Sequence, residues 1–180
     1  GSEAARSCAV DGVAEELPET MPLSEGQKAL WLLQRIAPEM GAYNVPLVLR
    51  LGPAIDLEIL RQAFAHVLRQ FPALRTVFRE VDGVPVQTVL ADLPLRFDVE
   101  TMAPASQDEI LAQLRARSKE PLDLAQGPLL RVRVLSPDEG PRYVLIVVHH
   151  IVFDGLSGVL LVRALAEAYV ALAAGEPPVV

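Results

Sequence analysis

The sequence is poor in cysteine, which limits the sites it can build. Its 180 residues contain one cysteine, Cys8. A disulfide within the chain needs two sulfurs, and so does a zinc site built on paired thiolates. Both are therefore excluded within this chain. A single cysteine also fits a protein of the reducing cytoplasm, which is the compartment we expect.

Long apolar runs are missing as well. No stretch reaches the roughly 18 consecutive apolar residues that a membrane span needs. The first ten residues, GSEAARSCAV, have neither the basic start nor the apolar core of a signal peptide. We therefore expect no membrane partner.

Positive charge is scarce too. The chain has 16 Lys and Arg against 23 Asp and Glu, a net charge of −7. Without a basic cluster the chain has little to hold a phosphate backbone, so no nucleic-acid partner is expected. Since 51% of the residues are hydrophobic, the length suits one folded domain or one lobe of a larger one.

The ends of the chain differ in composition from its middle. Residues 1–20 hold five acidic residues, one basic residue and no apolar periodicity, which predicts a flexible tail or an interdomain linker. The folded part is predicted over 21–175. At residues 176–180 the sequence EPPVV predicts a helix stop and the start of a second linker.

Between these ends, helical and strand patterns alternate, which predicts an α/β fold with helices packed against a mixed, mainly antiparallel sheet. Caps and apolar stripes predict helices over 24–37, from Asp56 to Pro72, from Ser106 to Ser118, and over 156–174. Strands are predicted at 45–51, 75–81, 84–90, 129–136 and 142–150.

Three details of this pattern carry expectations about burial. Leu32, Leu33 and Ile36 belong to the apolar stripe of the first helix and are expected in the core. Arg131 and Arg133 alternate with valines, which predicts a strand with one face in water. The run 142–150 is apolar almost throughout, so it is expected to be a central strand covered on both faces.

Candidate chemistry lies where that central strand ends, in HHIVFDG at 149–155. Side chains alternate along a strand, so His149 and His150 should point to opposite faces and have different roles. Gly155 is expected to let the backbone turn sharply into the following helix. For any one of these residues a structural role is the simpler reading, with Asp154 as the cap of that helix. The joint pattern favours a site at the strand end.

These residues resemble a known family. HHIVFDG matches the H-H-x-x-x-D-G signature of the condensation domains of nonribosomal peptide synthetases, in the chloramphenicol acetyltransferase-like superfamily. SEGQKALWLL at 24–33 resembles the family's opening motif, and ALRTVF at 73–78 resembles half of its second motif. The resemblance covers residues 21–180 in the family's order and corresponds to the N-terminal lobe alone. Residues 21–175 would be that lobe, and 176–180 would lead to a C-terminal lobe that this chain does not contain.

The resemblance implies an activity. An acceptor amine attacks a donor thioester, and both are carried on phosphopantetheine arms of partner carrier domains, in nonribosomal peptide or hybrid polyketide–peptide synthesis. The domain itself would bind no cofactor and no metal. His150 is assigned the proton-handling or positioning role, and an isolated lobe is expected to be inactive alone.

The other site residues receive supporting roles. His149 is expected to be a core histidine that shapes the loop, and Gly155 to provide backbone clearance. The family implies that Asp154 forms a buried ion pair with an arginine, for which Arg75 is the candidate. Ser157 is expected to cap the helix.

Three alternatives remain open at this stage. An ester-forming acyltransferase could use the same histidine on a hydroxyl acceptor. Family variants that epimerise a tethered residue share the motif. A chain of another class, a non-catalytic docking module, would be expected to carry a damaged motif, whereas here the motif is intact.

Overall fold

The structure, a computed structural model, describes residues 20–103, 105–138 and 140–178. The predicted tail at 1–20 lies outside this part, except for Thr20, which begins the first strand. Of the predicted second linker, residues 176–178 are described and are neither helix nor strand.

Four α-helices begin at a side-chain cap, which explains why each starts where it does. Ser24, Asp56, Ser106 and Asp154 each accept a hydrogen bond from a backbone N–H of the first turn. The sequence predicted the first three as helix starts and the fourth as a possible cap. The helices are α1 (Glu25–Ile36), α2 (Leu57–Gln70), α3 (Gln107–Ser118) and α4 (Gly155–Ala173).

In the described part of the chain, seven strands form two sheets. They are β1 (Thr20–Pro22), β2 (Asn44–Leu51), β3 (Thr76–Val81), β4 (Val84–Val89), β5 (Arg96–Met102), β6 (Leu130–Pro137) and β7 (Arg142–His149). One sheet has the order β1-β4-β3 and the other β2-β7-β6-β5. All neighbours are antiparallel except β5 and β6. The mixed, mainly antiparallel sheet with packed helices is thereby confirmed.

The core lies on both faces of β7, as its apolar sequence predicted. Val144, Ile146 and Val148 face a cluster built with α2 and α4. Leu145 and Val147 face a second cluster that includes side chains of α3. Because β7 has the strands β2 and β6 as neighbours and a core cluster on each side, its last residue is held firmly in place.

The face of β6 that was expected to be wet is covered. Arg131 is 7% exposed and donates to the backbone carbonyls of Glu120 (2.8 Å) and Pro121 (3.5 Å). Arg133 makes two 2.7 Å hydrogen bonds with the Glu120 carboxylate. The prediction failed because the segment after α3 crosses this face and supplies partners for both guanidinium groups.

One other expectation was wrong, and the strand β5 was missed. Leu32, Leu33 and Ile36 are exposed, Ile36 by 72%, because no described element covers their side of α1. The strand β5 was not predicted, since its residues lie in a stretch interrupted by prolines and carry charges between their apolar positions.

Helix α4 is long and apolar enough to cross a membrane, judged by length and composition alone. A helix from the core of a domain can meet the same criteria. Here Leu161, Leu165 and Ala168 are buried in the cluster shared with α2 and the sheet. The helix is therefore weak evidence for a membrane.

Shortening a side chain of β7 tests the packing. Ile146 is completely buried, so Ile146→Ala should lower the free energy of unfolding by about 2–5 kcal/mol through lost apolar contact and a residual cavity. The matched control is Val48→Ala on the neighbouring strand β2, where the side chain is 46% exposed and the loss should stay below about 1 kcal/mol. Denaturant unfolding measures both, and equal losses would contradict the described core.

Candidate active site at the end of strand β7

The buried strand β7 gives way to a short turn, and this turn separates the two histidines. His149 is the last residue of β7 and is 1% exposed. His150 begins a 3-10 turn over His150–Val152 and is exposed. Its backbone N–H donates to the Tyr43 carbonyl at 2.8 Å. One imidazole is therefore in the core and the other at the surface, but the strand ends one residue earlier than predicted, so the turn and not the alternation along β7 places His150.

The buried histidine holds the turn. His149 Nδ1 accepts the backbone N–H of Ile151 at 3.1 Å, and Nε2 lies 3.5 Å from the Gln34 Oε1 atom. Burial, and secondarily the neighbouring His150, lower the pKa of His149 from 6.5 to about 4. The ring is therefore neutral at physiological pH, and its contacts suit a structural role.

The exposed histidine has one ring nitrogen engaged. His150 Nδ1 lies 2.6 Å from the Phe153 carbonyl oxygen. A carbonyl oxygen only accepts, so Nδ1 carries the proton, and in the neutral ring Nε2 carries the lone pair. The backbone thus selects the tautomer in which the outer nitrogen can accept a proton.

An open cleft of about 420 Å³ surrounds the turn. Its polar side chains come from the turn itself, the start of α1, the three-stranded sheet and the start of α4. They are His150, Ser24, Gln27, Thr76, Gln87, Asp154 and Ser157. Such a set can hydrogen-bond a polar substrate beside a proton acceptor. Across the described parts of the chain, no cluster of three or more His, Cys, Asp or Glu side chains could hold a metal ion.

Gln27 connects the start of α1, the strand β4 and the turn, a role that the sequence did not predict. Its Oε1 accepts the N–H of Ser24 at 2.9 Å, which completes a capping box at the start of α1. Its Nε2 reaches Gln87 Oε1 at 3.2 Å and the Ile151 carbonyl at 3.5 Å. The Ser-x-x-Gln spacing could have revealed the capping box, but the contacts to β4 and to the turn depend on the tertiary fold.

The expected ion pair between Asp154 and Arg75 is wrong. Asp154 is exposed, and its Oδ1 accepts the N–H of Ser157 at 2.8 Å and its hydroxyl at 2.7 Å. Arg75 instead donates to the backbone carbonyls of Arg69, Leu90 and Ala91. The carboxylate already has hydrogen-bond donors at the start of α4, so it needs no buried cation.

The cap at Asp154 also bears on the predicted roles of Ser157 and Gly155. The N–H of Ser157, followed by its hydroxyl, lowers the pKa of Asp154 below its ordinary value. Ser157 therefore supports the site as the donor to a cap and is not the cap itself. Gly155 is the first residue of α4, and a Cβ there would meet nothing within 4 Å. Neither a positive φ nor a described neighbour accounts for the glycine, so the expected clearance is not explained within this chain.

A protein-family model described as "Condensation domain" matches residues 18–180. The chain is 42% identical over 157 residues to the polyketide synthase PksN of Bacillus subtilis (strain 168), covering 87% of this chain and 3% of that protein. It is 36% identical over 177 residues to the phosphinothricin tripeptide synthetase PhsB of Streptomyces viridochromogenes, covering 96% of this chain and 14% of that protein. The chain thus spans a small fraction of the length of these relatives.

Solved structures of similar shape carry the same description. The starter condensation domain of the rhizomide synthetase RzmA matches with a TM-score of 0.79 and 25% identity, over 90% of this chain and 40% of that chain. A variant of that domain was solved in complex with C8-CoA, and it matches with a TM-score of 0.79 and 26% identity over 89% of this chain and 38% of that chain. The first condensation domain of the calcium-dependent antibiotic synthetase shares the fold with a TM-score of 0.81 at 22% identity, over 90% of this chain and 40% of that chain.

The depressed pKa of His149 predicts a pH dependence of stability. Its imidazole protonates near pH 6.5 in the unfolded chain and near pH 4 in the folded one. Between these values only the unfolded chain takes up the proton, so the free energy of unfolding should fall by up to about 3 kcal/mol as the pH drops through this window. Urea unfolding from pH 7 to pH 4 measures the loss. His149→Asn should be missing that part of it, and an unchanged pH dependence in the variant would refute the assignment.

The cap at Asp154 predicts an order of stabilities. Asp154→Asn keeps an oxygen that can accept from Ser157 and should melt close to the unsubstituted chain. Asp154→Ala loses the acceptor and should lower Tm by about 2–4 °C. Thermal unfolding followed by circular dichroism compares the two. If asparagine destabilises as much as alanine, the charge matters and the cap does not account for Asp154.

Proposed function

This chain belongs to the condensation-domain family, and on that premise we propose that it supplies the histidine-bearing half of an acyl-transfer site. The reaction is attack by an acceptor amine on a donor thioester, which forms an amide and releases a thiol. The donor and acceptor are held on the phosphopantetheine arms of carrier domains, which are this chain's partners. The domain itself holds no cofactor in this proposal.

The single observation that carries the proposal is the hydrogen bond from His150 Nδ1 to the Phe153 carbonyl. It leaves Nε2 with its lone pair in an exposed position beside the cleft. An amine that attacks a carbonyl has to lose a proton, and the lone pair of a neutral imidazole can accept one. His150 is thus the proton acceptor or the hydrogen-bonding positioner of the amine.

The remaining residues support this chemistry indirectly. A thioester is already reactive, so catalysis needs mainly alignment and an environment for the developing oxyanion. Gln27 connects α1, β4 and the turn, while Asp154 fixes the start of α4 through Ser157. His149 stays neutral inside the core. Each of them keeps the turn in place around His150, and Arg75 secures the segment that follows β4.

The likeness to the rhizomide starter domain supports the donor class. A variant of that domain was crystallised with C8-CoA, which is an acyl thioester. The match to the rhizomide starter condensation domain covers 40% of that domain's chain, which supports a second lobe that completes the site. We further propose that the chain works in the cytoplasm, as its single cysteine favours.

Substituting the exposed histidine tests the function. In the chain extended by its natural downstream sequence, His150→Ala should lower the rate of acyl transfer from a loaded donor carrier by about 100- to 10,000-fold, because the amine loses its proton acceptor. Intact-mass spectrometry of the acceptor carrier measures the product. His66→Ala, on α2 and outside the cleft, is the matched control and should transfer at the unsubstituted rate. Undiminished transfer by His150→Ala would refute the assigned role.

Two arms of the same assay separate the alternatives. Offering an amine-bearing and a hydroxyl-bearing acceptor in parallel distinguishes amide from ester formation. Comparing the 180-residue chain with its extended form tests whether the described lobe is half of a site, in which case only the extended form transfers. Transfer by neither form would favour a docking module.

A further inference from the structure

Helix α1 buries a polar side chain, whereas two of its leucines, Leu32 and Leu33, are exposed. Of its twelve residues only Gln34 is buried, at 8% exposure. The adjacent Leu33 is exposed, and so is Ile36. Burying an amide is costly unless its donor and acceptor are both satisfied, and here it replaces the apolar contact that a leucine would give. The contacts of Gln34 should therefore explain its position.

The amide of Gln34 is oriented by its own helix end. Its Nε2 donates to the Pro38 carbonyl at 3.1 Å. Since a carbonyl cannot donate, the nitrogen of the amide has to occupy that side, and Oε1 faces the opposite way. There it lies 3.5 Å from His149 Nε2.

The ring of His149 is oriented from both sides. Its Nδ1 accepts the N–H of Ile151 at 3.1 Å, so in the neutral ring the proton resides on Nε2, which then donates to Gln34 Oε1. The low pKa of His149, about 4 through burial, keeps the ring in this neutral form.

The hydrogen bonds are donated in one direction, from the Ile151 N–H to His149, from His149 to Gln34, and from Gln34 to the Pro38 carbonyl. Ile151 is the central residue of the turn that begins with His150. From this geometry, and resting on the proposed function, we propose that Gln34 is a positioning residue that acts through His149 to hold the turn on which His150 is presented.

The chemistry of the amide explains why other residues do not serve at position 34. A methionine has a similar length, but its thioether is a weak acceptor and offers no donor to Pro38. A glutamate would accept from His149 but could not donate to the Pro38 carbonyl, and its buried charge would favour protonation of the ring. Gln34 meets both requirements without a charge.

The first test observes the contacts in the 180-residue chain by NMR. A 15N–15N coupling across the hydrogen bond from the Ile151 amide to His149 Nδ1 should be present in the unsubstituted chain and in the control Gln62→Met, which changes an exposed glutamine of α2. It should be absent in Gln34→Met, where the Ile151 amide should also exchange with solvent at least about ten-fold faster as the turn loosens. An unchanged coupling and exchange rate in Gln34→Met would overturn the proposal.

The second test measures catalysis in the chain extended by its natural downstream sequence. Gln34→Met should lower kcat by about 10- to 100-fold with KM within about two-fold, because a displaced His150 weakens the chemical step without removing substrate contacts. An unchanged kcat, or a rise in KM alone, would contradict the positioning role. If the unsubstituted protein transfers no acyl group, the proposed function fails, and the NMR result still decides whether Gln34 holds the turn.

Discussion

Strand β7 is buried on both faces, and the position of the site follows from where that burial ends. Apolar side chains alternate into two core clusters along the strand, so its last residue cannot shift without disturbing both. His149 is that residue and remains in the core. The next residue leaves the sheet in a tight turn whose backbone carbonyl, that of Phe153, engages the exposed ring of His150. The apolar packing of β7 thereby positions the imidazole of His150 at the surface.

The two adjacent histidines have different proposed roles because their surroundings differ. Burial makes the charged form of His149 unfavourable. The neutral ring accepts the Ile151 N–H at Nδ1 and donates from Nε2 to Gln34 Oε1. His150 is outside the core, and a single carbonyl selects its tautomer. Under the proposed function this difference has a use, since amide formation on an activated thioester calls for a well-placed proton acceptor more than for strong chemical activation.

Local signals in the sequence predicted the helices, most of the strands and the position of the candidate site. Capping residues such as Asp56 marked helix starts, and the apolar run of β7 marked a central strand. The consecutive histidines at the end of an apolar run indicated the candidate site. These features act over a few residues, so the sequence displays them directly. The motif also pointed to the family, which the matches to known proteins confirmed.

What the sequence did not reveal depends on segments that meet only in the folded chain. Glu120 and its neighbours cover Arg131, so an arginine that looked exposed is buried. Asp154 finds its donors three residues away, so its pairing with Arg75 is unnecessary. Gln34 lies one residue beyond the recognised motif, and only the tertiary fold brings it to His149.

The proposed role of His150 depends on which of its ring nitrogens carries the proton. Long-range 1H–15N correlation spectra of the 180-residue chain, recorded at alkaline pH, distinguish the two neutral tautomers of each imidazole. We predict that His150 is protonated on Nδ1, with Nε2 as the nitrogen that carries the lone pair. A neutral His150 protonated on Nε2 would contradict the account, because the nitrogen expected to face the substrate would then be a donor and could not accept the proton of the amine.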